Sequence, residues 1–169
     1  MPCFKIGYPI LKAWHFYCSA AAAVRLPGSL SKLTMNCKLD ASVGVANLDG
    51  AKVTIHGMNT VSTFDLKTGK QHGTPENPAD ITPRKLATPT ANFDATYDAI
   101  ILPAGYSAGA VTVDFEIGSD TYTWNVDTVT FEAGNEYIYE VEITRSNVKV
   151  TGTINPWNPV THQGPVYAE

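Results

Sequence analysis

Apolar and polar residues alternate at every second position along most of this chain, the period of a strand with one oily and one wet face. Leu33, Met35, Cys37 and Leu39 alternate with Lys32, Thr34, Asn36 and Lys38 and predict a first strand. Asn47 to Gly50 reads as a turn, Val53 and Ile55 alternating with Thr54 and His56 as a second strand, and Thr60 to Leu66 as a third, closed by Lys67 to Lys70. Residues 71–90 hold four prolines among polar residues and predict a long surface loop, with at most a short edge strand near Arg84 to Ala87. Tyr97 to Leu102 is more continuously apolar, as the middle of a sheet requires, and Pro103 ends it. Val111, Val113, Phe115 and Ile117 alternate with Thr112, Asp114 and Glu116; Gly118 to Asp120 turns the chain and Tyr122, Trp124 and Val126 return it as a hairpin.

A second hairpin is predicted near the end. Tyr137, Tyr139, Val141 and Ile143 fall two apart, mostly separated by Glu136, Glu140, Glu142 and Thr144. Ser146 and Asn147 make a tight polar reversal, and Val148, Val150 and Ile154 follow as the returning run. About seven to nine strands with no helical stretch between them predict an all-β fold. The expected architecture is an antiparallel, Greek-key sandwich of two sheets, because each half-wet sheet must cover its oily face with the other.

Composition narrows the function classes. The 169 residues suit about one domain with loose ends. Charged residues make up only 17 % and the formal charge is −4, so there is no basic footprint for a polyanion and nucleic-acid binding is not expected. Cys3, Cys18 and Cys37 match no zinc or redox spacing, and their odd number leaves at least one thiol unpaired. Residues 1–29 form a separate segment with the outline of a leader: Lys5, an apolar stretch from Tyr8 to Val24, and small residues at Ala20 to Ala23. Lys12 and His15 interrupt that stretch, and Tyr17 stands before Cys18 where a lipoprotein cleavage site wants a small residue. No run reaches the roughly 18 apolar residues of a membrane-spanning helix, so no transmembrane segment is expected.

One string looks catalytic. Gly105-Tyr106-Ser107-Ala108-Gly109 matches G-x-S-x-G, the elbow that exposes a nucleophilic serine between a strand and a helix. Here the following residues alternate as a strand, so the helix that should help bind an oxyanion is missing, and Ser107 reads as a turn residue. His15, His56, His72 and His162 are scattered without metal-ligand spacing. Tyr122, Trp124, Tyr137 and Tyr139 present two alternatives, a sugar-stacking platform or core and cross-strand pairs, and alternation on strands favours the core. No enzyme activity, cofactor or metal is expected.

From Leu30 to Val160 the chain resembles the fimbrillin-like family, the type V pilus subunits of gut and oral anaerobes. The resemblance rests on SLSKLTMNCKLD, GAKVTIHGMNTVSTFDLKTGK, YDAIILPAGYS, GSDTYTW and above all the closing FEAGNEYIYEVEITRSNVKVTGTINPWNP. It implies transthyretin-like β-sandwich domains, two in a typical member, exported as lipoprotein precursors, trimmed at an N-terminal strand and polymerised by strand donation. It therefore implies a structural or adhesive subunit of a cell-surface pilus, exported through the outer membrane, with other subunits as partners and a host or bacterial surface ligand as a further one. A carbohydrate-binding surface module is the alternative, and a hydrolase using Ser107 a more distant one. Within residues 30–160, followed by a tail at 161–169, the expected subunit contacts are Val148, Val150, Ile154, Trp157 and Val160. A terminal strand is the element most easily released, and this series alternates as pocket-filling requires. Trp157, held between Pro156 and Pro159, is expected to pack against the sandwich.

Overall fold

The computed structural model describes residues 29–45, 47–65 and 67–157. The leader-like residues up to 28, Ala46, Leu66, and residues 158–169, including Val160, lie outside the described residues. In chain order the strands are β1 (Ser31–Leu39), β2 (Lys52–Asp65), β3 (Lys70–Ile81), β4 (Arg84–Lys85), β5 (Ala95–Ile101), β6 (Ala104–Tyr106), β7 (Thr112–Ile117), β8 (Asp120–Asn125), β9 (Val129–Phe131), β10 (Asn135–Ile143) and β11 (Val148–Pro156). One short 3-10 turn, Ala41–Val43, follows β1; Asp40 caps it by accepting the Ser42 N–H at 2.9 Å.

The strands form a five-stranded sheet in the order β11-β10-β1-β5-β4, a four-stranded sheet in the order β3-β2-β7-β8, and a two-stranded ribbon of β6 and β9. All pairings are antiparallel except β1 with β10, which run parallel from Lys32 opposite Glu136 to Leu39 opposite Ile143. The main apolar sets of the longer strands point to a shared interior. Leu33, Met35 and Cys37 of β1, Tyr137, Val141 and Ile143 of β10, Val53 and Ile55 of β2, and Val113 and Phe115 of β7 are all buried in one core. Burying each such large side chain contributes about 1.5–3 kcal/mol. Trp124 of β8 meets Tyr139 of β10 across the interior with ring centroids 4.9 Å apart. The ribbon covers the Tyr137 end of the core: Phe131 packs edge-on against Tyr137 at 4.8 Å, while the Tyr137 hydroxyl donates to the Thr130 carbonyl and accepts the Glu132 N–H.

The second and third expected runs are one strand. The stretch from Val53 and the stretch from Thr60 join as the 14-residue β2 through a bulge at Gly57, where φ is +81°. The extra residue shifts the alternation by one and turns Met58 inward, so the period-two pattern breaks without the strand ending. A Cβ on Gly57 would lie 2.2 Å from the Ala110 carbonyl oxygen, so only glycine fits.

Residues 71–81, expected within a surface loop, belong to β3. The Lys67-to-Lys70 reversal delivers them onto β2, and as the outermost strand of its sheet β3 tolerates Pro75 and Pro78, which have no N–H to donate. The short edge strand expected near Arg84 is β4, and the two predicted hairpins are β7–β8 and β10–β11. Tyr97 to Ile101 of the expected run fall on β5, one place in from the sheet edge, and Leu102 lies just past it; Ile100 is half exposed because it alternates to the outer face of the sheet, opposite Lys32 of β1.

Candidate functional site

Ser107 sits exposed after β6, and its carbonyl accepts the Ala110 N–H in a turn that leads through Val111 into strand β7. A strand, not a helix, follows the G-x-S-x-G string. The aromatic residues of the platform alternative are largely spent inside: Trp124 and Tyr137 are buried, and Tyr122 and Tyr139 pack partly buried against the same core. Among the described residues no cluster of three or more metal-type side chains forms, and no helix is long and apolar enough to cross a membrane.

The structure brings together one constellation that sequence spacing could not reveal. His56 Nδ1 lies 2.7 Å from Asp80 on β3, and its Nε2 lies 3.3 Å from Asp114 on β7. The Asp80 hydrogen bond raises the imidazole pKa above its ordinary value, against a smaller opposing effect of burial, and both carboxylate charges add to the rise. With its two nitrogens occupied on opposite sides by carboxylates, His56 ties three strands together.

Two buried groups show plain desolvation. Burial, with Asp94 nearby, pushes the Cys37 thiol up to about 12, and burial also takes the Tyr97 phenol to about 12. The Cys37 thiol is therefore unreactive at neutral pH. Burial alone would raise Glu136, but hydrogen bonds from Lys32 and Thr34 outweigh it and hold this carboxyl below its usual range.

The segment expected to carry subunit contacts is the outermost strand of the five-stranded sheet. β11 pairs antiparallel with β10 along its whole length, from Val148 opposite Ile143 to Pro156 opposite Asn135, without a register break. Directly opposed residues share a face, so Val148, Val150, Gly152 and Ile154 lie on the core side with Ile143, Val141, Tyr139 and Tyr137. Only the start of that row is covered: Val148 and Val150 are half-buried against the core, whereas Ile154 is 61 % exposed. At Gly152 the missing side chain makes room for Tyr139, whose ring carbon Cε1 would lie 2.9 Å from an added Cβ. Trp157 is half-buried, its backbone N–H donating to the Gly134 carbonyl at 2.7 Å, and Gly134 supplies the positive φ of the turn before β10. Beside β11 an open cleft of about 440 Å3 runs between Asp120 to Thr123 of β8 and the Arg145-to-Val148 turn. Here the edges of both sheets meet solvent together.

That strand order, with the C-terminal hairpin laid beside the first strand, coincides with a match of the fimbrillin-like family pattern to residues 29–157. The chain belongs to the fimbrillin-like family. A Bacteroides uniformis protein described as a candidate fimbrium subunit, Fim1C, is 28 % identical over 137 residues, covering 77 % of this chain and 43 % of that protein. Two solved structures, each described as a candidate cell adhesion protein, share the fold. The one from Bacteroides uniformis has a TM-score of 0.63 at 22 % identity, covering 77 % of this chain and 51 % of that one. The one from Bacteroides ovatus has a TM-score of 0.58 at 18 % identity, covering 79 % of this chain and 47 % of that one. This fimbrillin-like chain thus spans about half the length of the relatives it matches.

Proposed function

We propose that this chain acts as a structural or adhesive subunit of a bacterial cell-surface fimbrium, that it is exported across the outer membrane to reach that place, and that it joins its neighbours by strand exchange. Family membership over residues 29–157 is the observation that carries the reading. Support for the contact segment comes from β11 and the residues after it. Val148, Val150 and Ile154 form an apolar row whose far end is exposed, and Trp157 and Val160 continue the series. An extended, alternating segment of this kind gives backbone hydrogen bonds for strength and side chains for register.

Deleting the residues after Asn155 tests it. The truncated protein is expected to fold and to stay out of the fibres that the full chain enters with its partner subunits. Normal fibre formation by the truncated protein overturns the contact assignment.

A further inference from the structure

The four outer edges of the two sheets are not alike. β4 is two residues long; β3 carries Pro75, Pro78 and a left-handed Asn77 at φ 58°; β8 is six residues long. β11 presents nine residues in unbroken register with no proline before Pro156, and among the described residues no strand lies on its outer side. An edge of that length with one charge lacks the usual devices that prevent strand addition: prolines, bulges, brevity or repeated lysines.

Its sequence also reads nearly the same in both directions. About Gly152, Val-Lys-Val-Thr on one side mirrors Thr-Ile-Asn-Pro on the other, so Thr151 reflects onto Thr153, Val150 onto Ile154, Lys149 onto Asn155 and Val148 onto Pro156. Two antiparallel copies paired on Gly152 therefore place like with like. Thr151 faces Thr153 on the outer surface, where cross-strand threonine pairs are favourable, and the exposed Ile154 covers Val150 of the other copy on the core side. Lys149 is the single charged side chain of the strand, and in this register it meets the amide of Asn155 rather than another lysine. Sliding the pairing until Lys149 faces Lys149 would set like charges opposite and lose the Val150–Ile154 contact, so charge and apolar pattern select the same alignment.

We propose that β11 is a self-complementary edge: a second copy of this chain adds antiparallel to it on a two-fold axis at Gly152, joining two five-stranded sheets into one of ten. This deepens the fimbrial reading and rests on it in taking β11 as the contact strand, but here β11 stays paired with β10 instead of leaving it. The interface is isologous, so each residue contact off the axis occurs twice.

Sedimentation equilibrium of the full chain, from micromolar to millimolar loading, is the test. The unmodified protein should show a reversible monomer–dimer equilibrium. Asn155→Lys should weaken it about fivefold, because two lysine–lysine pairs then face each other across the axis at a cost of several tenths of a kcal/mol each. The substitution is comfortable within one copy, since residue 155 lies opposite Glu136. Adding Lys149→Glu to Asn155→Lys restores opposite charges across the axis; Glu142→Gln is added as well, because Glu142 lies opposite residue 149 in the same copy and pairs with Lys149 at 3.2 Å, and this triple variant should return the dimer. A chain monomeric at every concentration, or a triple variant no stronger than the single one, overturns the proposal. Fibre assembly scored in parallel separates the two ideas: fibres with no dimer leave the fimbrial reading standing alone, and a dimer with no fibres does the reverse.

Discussion

β3 and β11 are both outer strands returned by a hairpin onto the strand before them, and they solve the exposed-edge problem in opposite ways. β3 has two prolines, positive φ at Gly73 and Asn77, and two register irregularities against β2. β11 keeps step with β10 at every pair. Proline and left-handed residues interrupt the row of backbone donors and acceptors that an incoming strand needs, so β3 is closed to addition and β11 is open to it. Edge behaviour is thus written in local backbone chemistry, while hydrophobicity is secondary: the one large exposed apolar side chain on β11, Ile154, only adds to what the regular backbone offers.

The largest expected effect comes from breaking the irregular side at its root. Gly57→Ala puts a side chain at φ +81° and drives it into the Ala110 carbonyl, so it should cost about 3 kcal/mol or more in urea denaturation. A loss below 1 kcal/mol, within the spread of ordinary substitutions, would show that the bulge can relax. The regular side rests on β10, whose Tyr137 is 1 % exposed and ties Thr130 and Glu132. Tyr137→Phe leaves the Glu132 N–H and the Thr130 carbonyl without that partner, with an expected loss of about 1–3 kcal/mol by the same measurement.

Asn77→Val sharpens the contrast further. A β-branched residue at φ 58° should cost about 1–2 kcal/mol, whereas Asn77→Gly should be tolerated, and equal stabilities of the two variants would remove the backbone explanation of the broken edge. His56 binds β3 into its sheet in a pH-dependent way. Its folded pKa is raised above the ordinary 6.5, so its stabilising contribution is fully present below that value and is lost as pH rises through the folded pKa. Thermal melts should show the unmodified protein losing more stability than His56→Gln between mildly acidic and mildly alkaline pH; identical slopes count against the Asp80–His56–Asp114 tie. The smallest effect is expected at Ile154→Thr, where stability should shift by no more than about 0.5 kcal/mol because the side chain is already in water. A clearly larger loss would mean that the open edge is covered within a single copy.

The two hairpins β7–β8 and β10–β11, the first strand and the aromatic core were legible in the sequence because period-two alternation is a local property that survives wherever one face is buried. The same pattern misled at Gly57, where a bulge shifts the phase, and at Pro75 and Pro78, where an edge position makes proline acceptable in a strand. Of the contact series, Val148, Val150 and Ile154 could be placed on one face from spacing alone. Their unequal exposure could not, because it depends on how far the opposite sheet extends beneath β11. What the sequence by itself determined is that β1, β5, β7, β8, β10 and β11 are strands, which side of each is apolar and that the chain reads as fimbrillin-like. Only the tertiary structure decided that β1 lies parallel to β10, that Asp80 and Asp114 converge on His56, and that β11 is an outer edge. The first two join residues 24 to about 100 positions apart, and the third depends on which strands fill the rest of the sheet; no local periodicity encodes which strand becomes the neighbour of which.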